Sequence, residues 1–136
     1  MVALTEDPVS VEEVIESVRV HEAGAIDVFI GTVRNKTGGN KVLRLEYEAY
    51  EKMALKEMAD IVSEAAQQWP VLKARMVHRV GVLSLGEIAV AIAVATPHRR
   101  DAFEACSFMI EEVKKRVPIW KKEFFEGGEV WVAAHP

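Results

Sequence analysis

The stretch Pro97 to Lys122, PHRRDAFEACSFMIEEVKKRVPIWKK, decides how the fold is read. On a helical wheel of about 100° per residue, Ala102, Phe103, Cys106, Met109, Ile110, Val113 and Val117 share one apolar face. That spacing predicts an amphipathic helix packed against a sheet. Basic groups gather at both of its ends, His98, Arg99 and Arg100 before it and Lys114, Lys115, Arg116, Lys121 and Lys122 after it. Lys115 points away from the apolar face, as a solvated lysine should. Lys114 sits at the margin of the stripe, one turn beyond Ile110. Its stem is expected on apolar surface and its amine in a cleft. Pro118 then stops the helix, and Trp120, Lys121 and Lys122 are expected on a bend.

The chain of 136 residues predicts one domain, spanning 1–136, long enough to bury a core. It is 50% hydrophobic and 28% charged, a globular composition. Its net charge of −4 argues against general nucleic-acid binding, because phosphate-backbone binders carry a basic face. The positive charge around the helix is therefore local, and suits a small anion or an acidic partner. Cys106 is the sole cysteine, which leaves no intrachain disulfide and points to the cytoplasm. The N-terminus lacks a basic segment followed by an apolar core, so it does not read as a signal peptide. No apolar run approaches about 18 residues, so no membrane span is expected.

Outward from the helix, the chain punctuates itself. Ser10 and Glu13 form a capping box before a short helix carrying Val11, Val14, Ile15 and Val18, expected to end near His21. Ala25–Val33 is rich in β-branched residues and reads as a strand. Val42–Tyr50 alternates cleanly and reads as a half-buried one. With RNKTGGNK between them, the two are expected to pair as an antiparallel hairpin. Arg34, where the first strand enters that loop, is either a solvated charge or an anion clamp. Glu51–Trp69 forms a second helix with Leu55, Met58, Ile61, Val62 and Ala65 inward, closed by Trp69-Pro70. Lys73–Leu83 and Glu87–Thr96 are two strands joined by a tight SLG turn, the second almost wholly apolar and so central. His78 lies in the first of them, as a packed strand histidine. Gly127-Gly128 introduces a last strand, EVWVAA. The order α-β-β-α-β-β-α-β predicts an α+β domain with an antiparallel or mixed sheet and three main helices.

Common cofactor motifs are missing. GTVRNKTGG lacks Gly-Lys-Ser/Thr and leads to a strand, so it is not a P-loop, and no GxGxxG follows any strand. His98 and Cys106 have no neighbours at metal-ligand spacing. Cys106 lies on the apolar face as inert core. What remains is a basic, metal-free site drawn from Arg34, His98, Arg99, Lys114 and Lys121. A non-catalytic dimeric module holding an acidic C-terminal tail or a small phosphate ligand would use the same cations. A nucleotide- or RNA-binding domain would too, but it lacks aromatic platforms beside them.

At these residues the chain resembles the large (catalytic) subunit of molybdopterin synthase, over about residues 24–134. The resemblance rests on linked signatures: F-x-G-x-V-R-N (Phe29 to Asn35), L-x-Y-E-A-Y (Leu45 to Tyr50), Trp69-Pro70 and H-R-x-G (His78 to Gly81). It continues through H-R-x-x-A-F (His98 to Phe103), K-x-R-x-P-x-W-K (Lys114 to Lys121) and Trp131-Val132. It implies a hammerhead-like α+β fold. It also implies transfer of sulfur to cyclic pyranopterin monophosphate (precursor Z), forming the dithiolene of molybdopterin in molybdenum cofactor biosynthesis. The implied sulfur donor is the C-terminal Gly-Gly thiocarboxylate of a small ubiquitin-like subunit, whose tail enters a pocket. The implied assembly is a heterotetramer around a homodimer of large subunits, and no metal or nucleotide cofactor serves the transfer step. Carried over residue by residue, the essential lysine falls on Lys114, the second lysine on Lys121, the loop arginine on Arg34 and the histidine–arginine pair on His98-Arg99. Arg34 and Arg99 suit a phosphate, Lys114 the charge of a thiocarboxylate, and His98 proton transfer near neutral pH. One position departs from the family pattern: an arginine expected just after W-V-x-A is His135 here. The loss of a cation there is expected either to weaken anion binding or to be offset by Arg100 or Lys122.

Overall fold

The computed structural model describes residues 1–133; His135, the position that departs from the family pattern, lies outside them. The element order is β1 (Val2–Thr5), α1 (Val11–Val18), β2 (Ala25–Thr32), β3 (Lys36–Thr37), β4 (Asn40–Ala49), α2 (Glu51–Gln68), β5 (Lys73–Arg79), β6 (Gly81–Ser84), β7 (Ile88–Thr96), α3 (Arg99–Arg116), β8 (Ile119–Phe125) and β9 (Gly128–Ala133). The α+β class and the three helices are as predicted. The strands form two sheets, one ordered β1-β5-β7-β2, the other β3-β4-β8-β9 with β6 also on β4.

The first sheet is covered on both faces, which explains the nearly unbroken apolar run of β7. Ala91, Ala93 and Ala95 face Val14 and Val18 of α1. Val90, Ile92 and Val94 face the larger core, built with Ala54, Met58 and Ile61 of α2 and Ala105, Met109 and Val113 of α3. β7 lies between β5 and β2, central as its composition predicted. Arg116 fastens the two large helices, with hydrogen bonds to Glu64 (2.8 Å), Glu57 (3.1 Å) and Glu112 (3.3 Å). Trp69 reaches across to Glu104 through its indole N–H (3.0 Å) and packs on Phe108. Ser10 caps α1, accepting from the Glu13 amide at 3.2 Å, and the helix stops at Val18, short of His21. No helix among the described residues is long and apolar enough to cross a membrane.

Several expectations change in three dimensions. The hairpin between the second strand and Val42–Tyr50 does not form: β2 pairs antiparallel with β7, and β4 pairs with β8 and β6. The Gly38-Gly39 turn instead closes the short β3–β4 hairpin, with Lys36 opposite Lys41 and Thr37 opposite Asn40. The run Lys73–Leu83 is two strands rather than one, because Gly81 adopts φ +92° and redirects the chain onto the second sheet. β1 pairs in parallel with β5, a contact with no local signal. Lys121 and Lys122 lie on strand β8, not on a bend, paired with β4 and β9. Phe103, assigned to the buried face of α3, is 57% exposed. Ala105 is buried in that layer instead. The reason is the place of Phe103 at the margin of the stripe, near the start of the helix.

Gly24 holds the loop before β2 against the start of α3. A Cβ there would overlap the Pro97 carbonyl oxygen, and the Gly24 amide donates to Thr96 O (3.1 Å). Gly24→Ala is therefore expected to destabilise the fold by about 1–3 kcal/mol, read by chemical denaturation. His78 supplies a second test. Burial lowers its imidazole from 6.5 to about 4, partly opposed by its Nδ1–H donation to Arg79 O (2.7 Å). Between pH 6.5 and 4 the unfolded chain binds the proton and the folded chain does not. Stability present above pH 6.5 is therefore lost as pH falls toward 4. His78→Asn is expected to flatten that part of the unfolding free energy against pH.

Candidate functional site

The two sheets diverge around a narrow cavity of about 180 Å³, closed on a third side by the end of α3. β2 and the residues after it bring Phe29, Gly31 and Arg34; β4 brings Leu45 and Tyr47; α3 brings Ile110 and Lys114; β8 brings Lys121 and Glu123. Gly31 lets Val90 and Phe29 pack closely beside the cavity, since a Cβ there would approach Val90 Cγ1 to 2.8 Å and Phe29 Cε2 to 3.3 Å. Three of the sequence-predicted cations, Arg34, Lys114 and Lys121, thus line one cavity. Lys114 does so as the wheel predicted, one turn beyond Ile110 at the edge of the buried stripe, although the residue as a whole is exposed.

His98, Arg99 and Arg100 lie elsewhere. They line a broader depression of about 560 Å³ with Gly24, Pro97 and Phe103, at the opposite end of α3. From His98 to Lys114 the helix rise is roughly 24 Å. Within one chain these groups do not share a ligand.

Sequence reasoning missed Glu123. It is 2% exposed on β8, its Oε2 accepting from Thr37 Oγ1 at 3.0 Å and lying 3.4 Å from Lys121 Nζ. The carboxylate therefore fixes Lys121 at the cavity wall and ties the β3–β4 hairpin to β8. A signal for it was available. Ile119, Lys121 and Glu123 alternate with Trp120, Lys122 and Phe124, and the set that carries Lys121 and Glu123 is the one that turns inward. Arg34 and Lys114 have no carboxylate partner among the described residues. Unpaired cations beside a paired one leave a net positive cavity in an acidic chain. That is the electrostatics of an anion site.

Comparison with known proteins gives the family and the fold it shares. The family profile described as MoaE protein matches residues 4–116. The chain belongs to the MoaE family. The molybdopterin synthase catalytic subunit of Bacillus subtilis (strain 168) is 50% identical over 95% of this chain and 82% of its own length. The crystal structure of molybdopterin synthase from Staphylococcus aureus superposes with a TM-score of 0.91 at 44% identity, covering 95% of this chain and 94% of that one. At the level of fold alone, it also matches a chain of the complex of subunits 1 and 2 of molybdopterin-converting factor from Helicobacter pylori 26695. There the TM-score is 0.81 at 21% identity, over 99% of this chain and 93% of that one.

Cys106 is not among the residues that line the cavity of this MoaE-family chain. Cys106, expected as inert core, is buried, and burial together with Asp27 pushes its thiol up to about 12. No cluster of three His, Cys, Asp or Glu residues among the described ones is arranged to hold a metal ion. The contrast between the exposed and buried charges is testable. Lys114→Ala is expected to change unfolding free energy by no more than about 0.5 kcal/mol. Glu123→Ala, which strands Lys121 and Thr37, is expected to lower it by about 1–3 kcal/mol. Urea unfolding of both variants checks the pair.

Proposed function

We propose that this chain is the catalytic subunit of a molybdopterin synthase, moving sulfur from a small carrier's C-terminal thiocarboxylate to cyclic pyranopterin monophosphate. The carrying observation is the meeting of Arg34, Lys114 and Lys121 at one narrow cavity. The family membership supports the same chemistry, and the small-subunit partner is supported by the two-subunit converting-factor complex. The narrowness of the cavity suits an extended Gly-Gly end, which brings a backbone and no side chains. Lys114, without a carboxylate partner among the described residues, offsets the charge of the thiocarboxylate and of the tetrahedral species formed as sulfur leaves. Arg34 offers a planar fork to phosphate or carboxylate oxygens. Lys121, fixed by Glu123, is the second cation.

His98, Arg99 and Arg100 act across a homodimer in this scheme. Each protomer lends them to the substrate held by its neighbour, Arg99 and Arg100 on the phosphate and His98 as a proton carrier near neutral pH. The working assembly is a heterotetramer in the cytoplasm, a dimer of large subunits with a carrier on each.

The test is molybdopterin formation from purified precursor Z and thiocarboxylated small subunit, with small-subunit binding measured on the same samples. Wild type is expected to form product. Lys114→Ala is expected to bind the small subunit within about threefold of wild type and to lose about 10²-fold or more in turnover. A wild-type protein that binds the tail and forms no product would instead be a non-catalytic binding module.

A further inference from the structure

Tyr47 lines the cavity from β4, in register with Lys121 on β8 and beside Glu123 and Lys114. The residue is 6% exposed, and its ring stands edge-on to His78 with centroids 5.1 Å apart. Its hydroxyl has no hydrogen-bond partner among the described residues. Among the described residues only Arg79 Nε is both sealed from solvent and unpartnered, so the Tyr47 oxygen opens onto the cavity, where a ligand can accept its hydrogen bond. Burial, reinforced by Glu123, pushes its ionisation up to about 12. It is therefore a neutral donor throughout the ordinary working range, set at the cavity wall beside the cations.

We propose that Tyr47 is a further catalytic residue, donating its O–H to the acyl oxygen of the carrier's terminal glycine as that oxygen becomes an oxyanion. This rests on the sulfur-transfer reading above. Once the thiocarboxylate sulfur has bonded to the substrate carbon, the glycine and the substrate are joined as a thioester. A water oxygen then bonds to the acyl carbon, the carbonyl π pair moves onto the acyl oxygen, and the water gives up a proton to solvent. Collapse re-forms the C=O and breaks the C–S bond with its electron pair leaving on sulfur. The thiolate stays on the substrate, and the glycine departs as a carboxylate with loss of the second water proton. Tyr47 keeps its own proton throughout. Its hydrogen bond strengthens as charge develops on the acyl oxygen, which is what makes it accelerate the step rather than only bind the tail.

The experiment is Tyr47→Phe in the full complex with thiocarboxylated small subunit, following kcat, KM for the small subunit, and Tm. The expected result is kcat lower by about 10²-fold with KM within about threefold, and a Tm equal to or above that of wild type. A purely structural hydroxyl would lower Tm, so this combination separates the two roles. A kcat within about threefold of wild type overturns the assignment, and so does a fall of Tm together with kcat. If wild type itself forms no product, the sulfur-transfer reading fails and takes the Tyr47 role with it. If wild type forms product and Tyr47→Phe matches it, only the Tyr47 role is lost.

Discussion

Val33 makes two backbone hydrogen bonds on which the shape of the molecule depends: its amide donates to Glu87 O at 3.0 Å, and its carbonyl accepts from the Gly86 amide at 2.8 Å. These bonds join two of the points at which the chain passes from one sheet to the other, after β2 and before β7. Glu87 reinforces the crossing by accepting from the Ser84 amide at 2.6 Å and from Arg79 at 3.4 Å. With both crossings clamped together, the sheets share an edge and open away from it. The cavity is the space between them, and Arg34 follows directly after the clamp.

The polar groups in this space are arranged by what they lack as much as by what they hold. Glu123 is buried and already engaged by Lys121 and Thr37, so the wall on that side is fixed before any ligand arrives. Arg34 and Lys114 remain without carboxylates, and Tyr47 without a hydrogen-bond partner, among the described residues. Groups left unmatched in the free protein are the ones available to match a ligand.

Much of this was legible in the residues. The period of α3 put Lys114 at the edge of its buried stripe, and the linked motifs named Arg34, His98, Arg99 and Lys121 as a set. The apolar run of β7 marked the central strand, and the capping Ser10 marked the start of α1. Other features were not legible. β8 was hidden because, beyond the buried Ile119, its inward positions are Lys121 and Glu123, so the usual alternation of apolar inside and polar outside is reversed where it lines the site. β1 has a partner only at β5, far along the chain. The expected β2–β4 hairpin failed because nearness in sequence favours such a pair only if both strands belong to one sheet.

The sequence by itself determined the local matters: which segments are helical, which strand is buried on both faces, which cations stand out, and the family to which they belong. These follow from short-range periodicity, from capping and turn residues, and from motif order, all of which are written along the chain. Only the tertiary structure decided which cations meet. It brought Arg34, Lys114 and Lys121 to one cavity and sent His98, Arg99 and Arg100 to the far end of α3. It also found the Glu123 and Tyr47 partners of that cavity. The physical reason is that sheet membership is set by pairing between distant strands, and a side chain's neighbours follow from that pairing, not from its place in the chain.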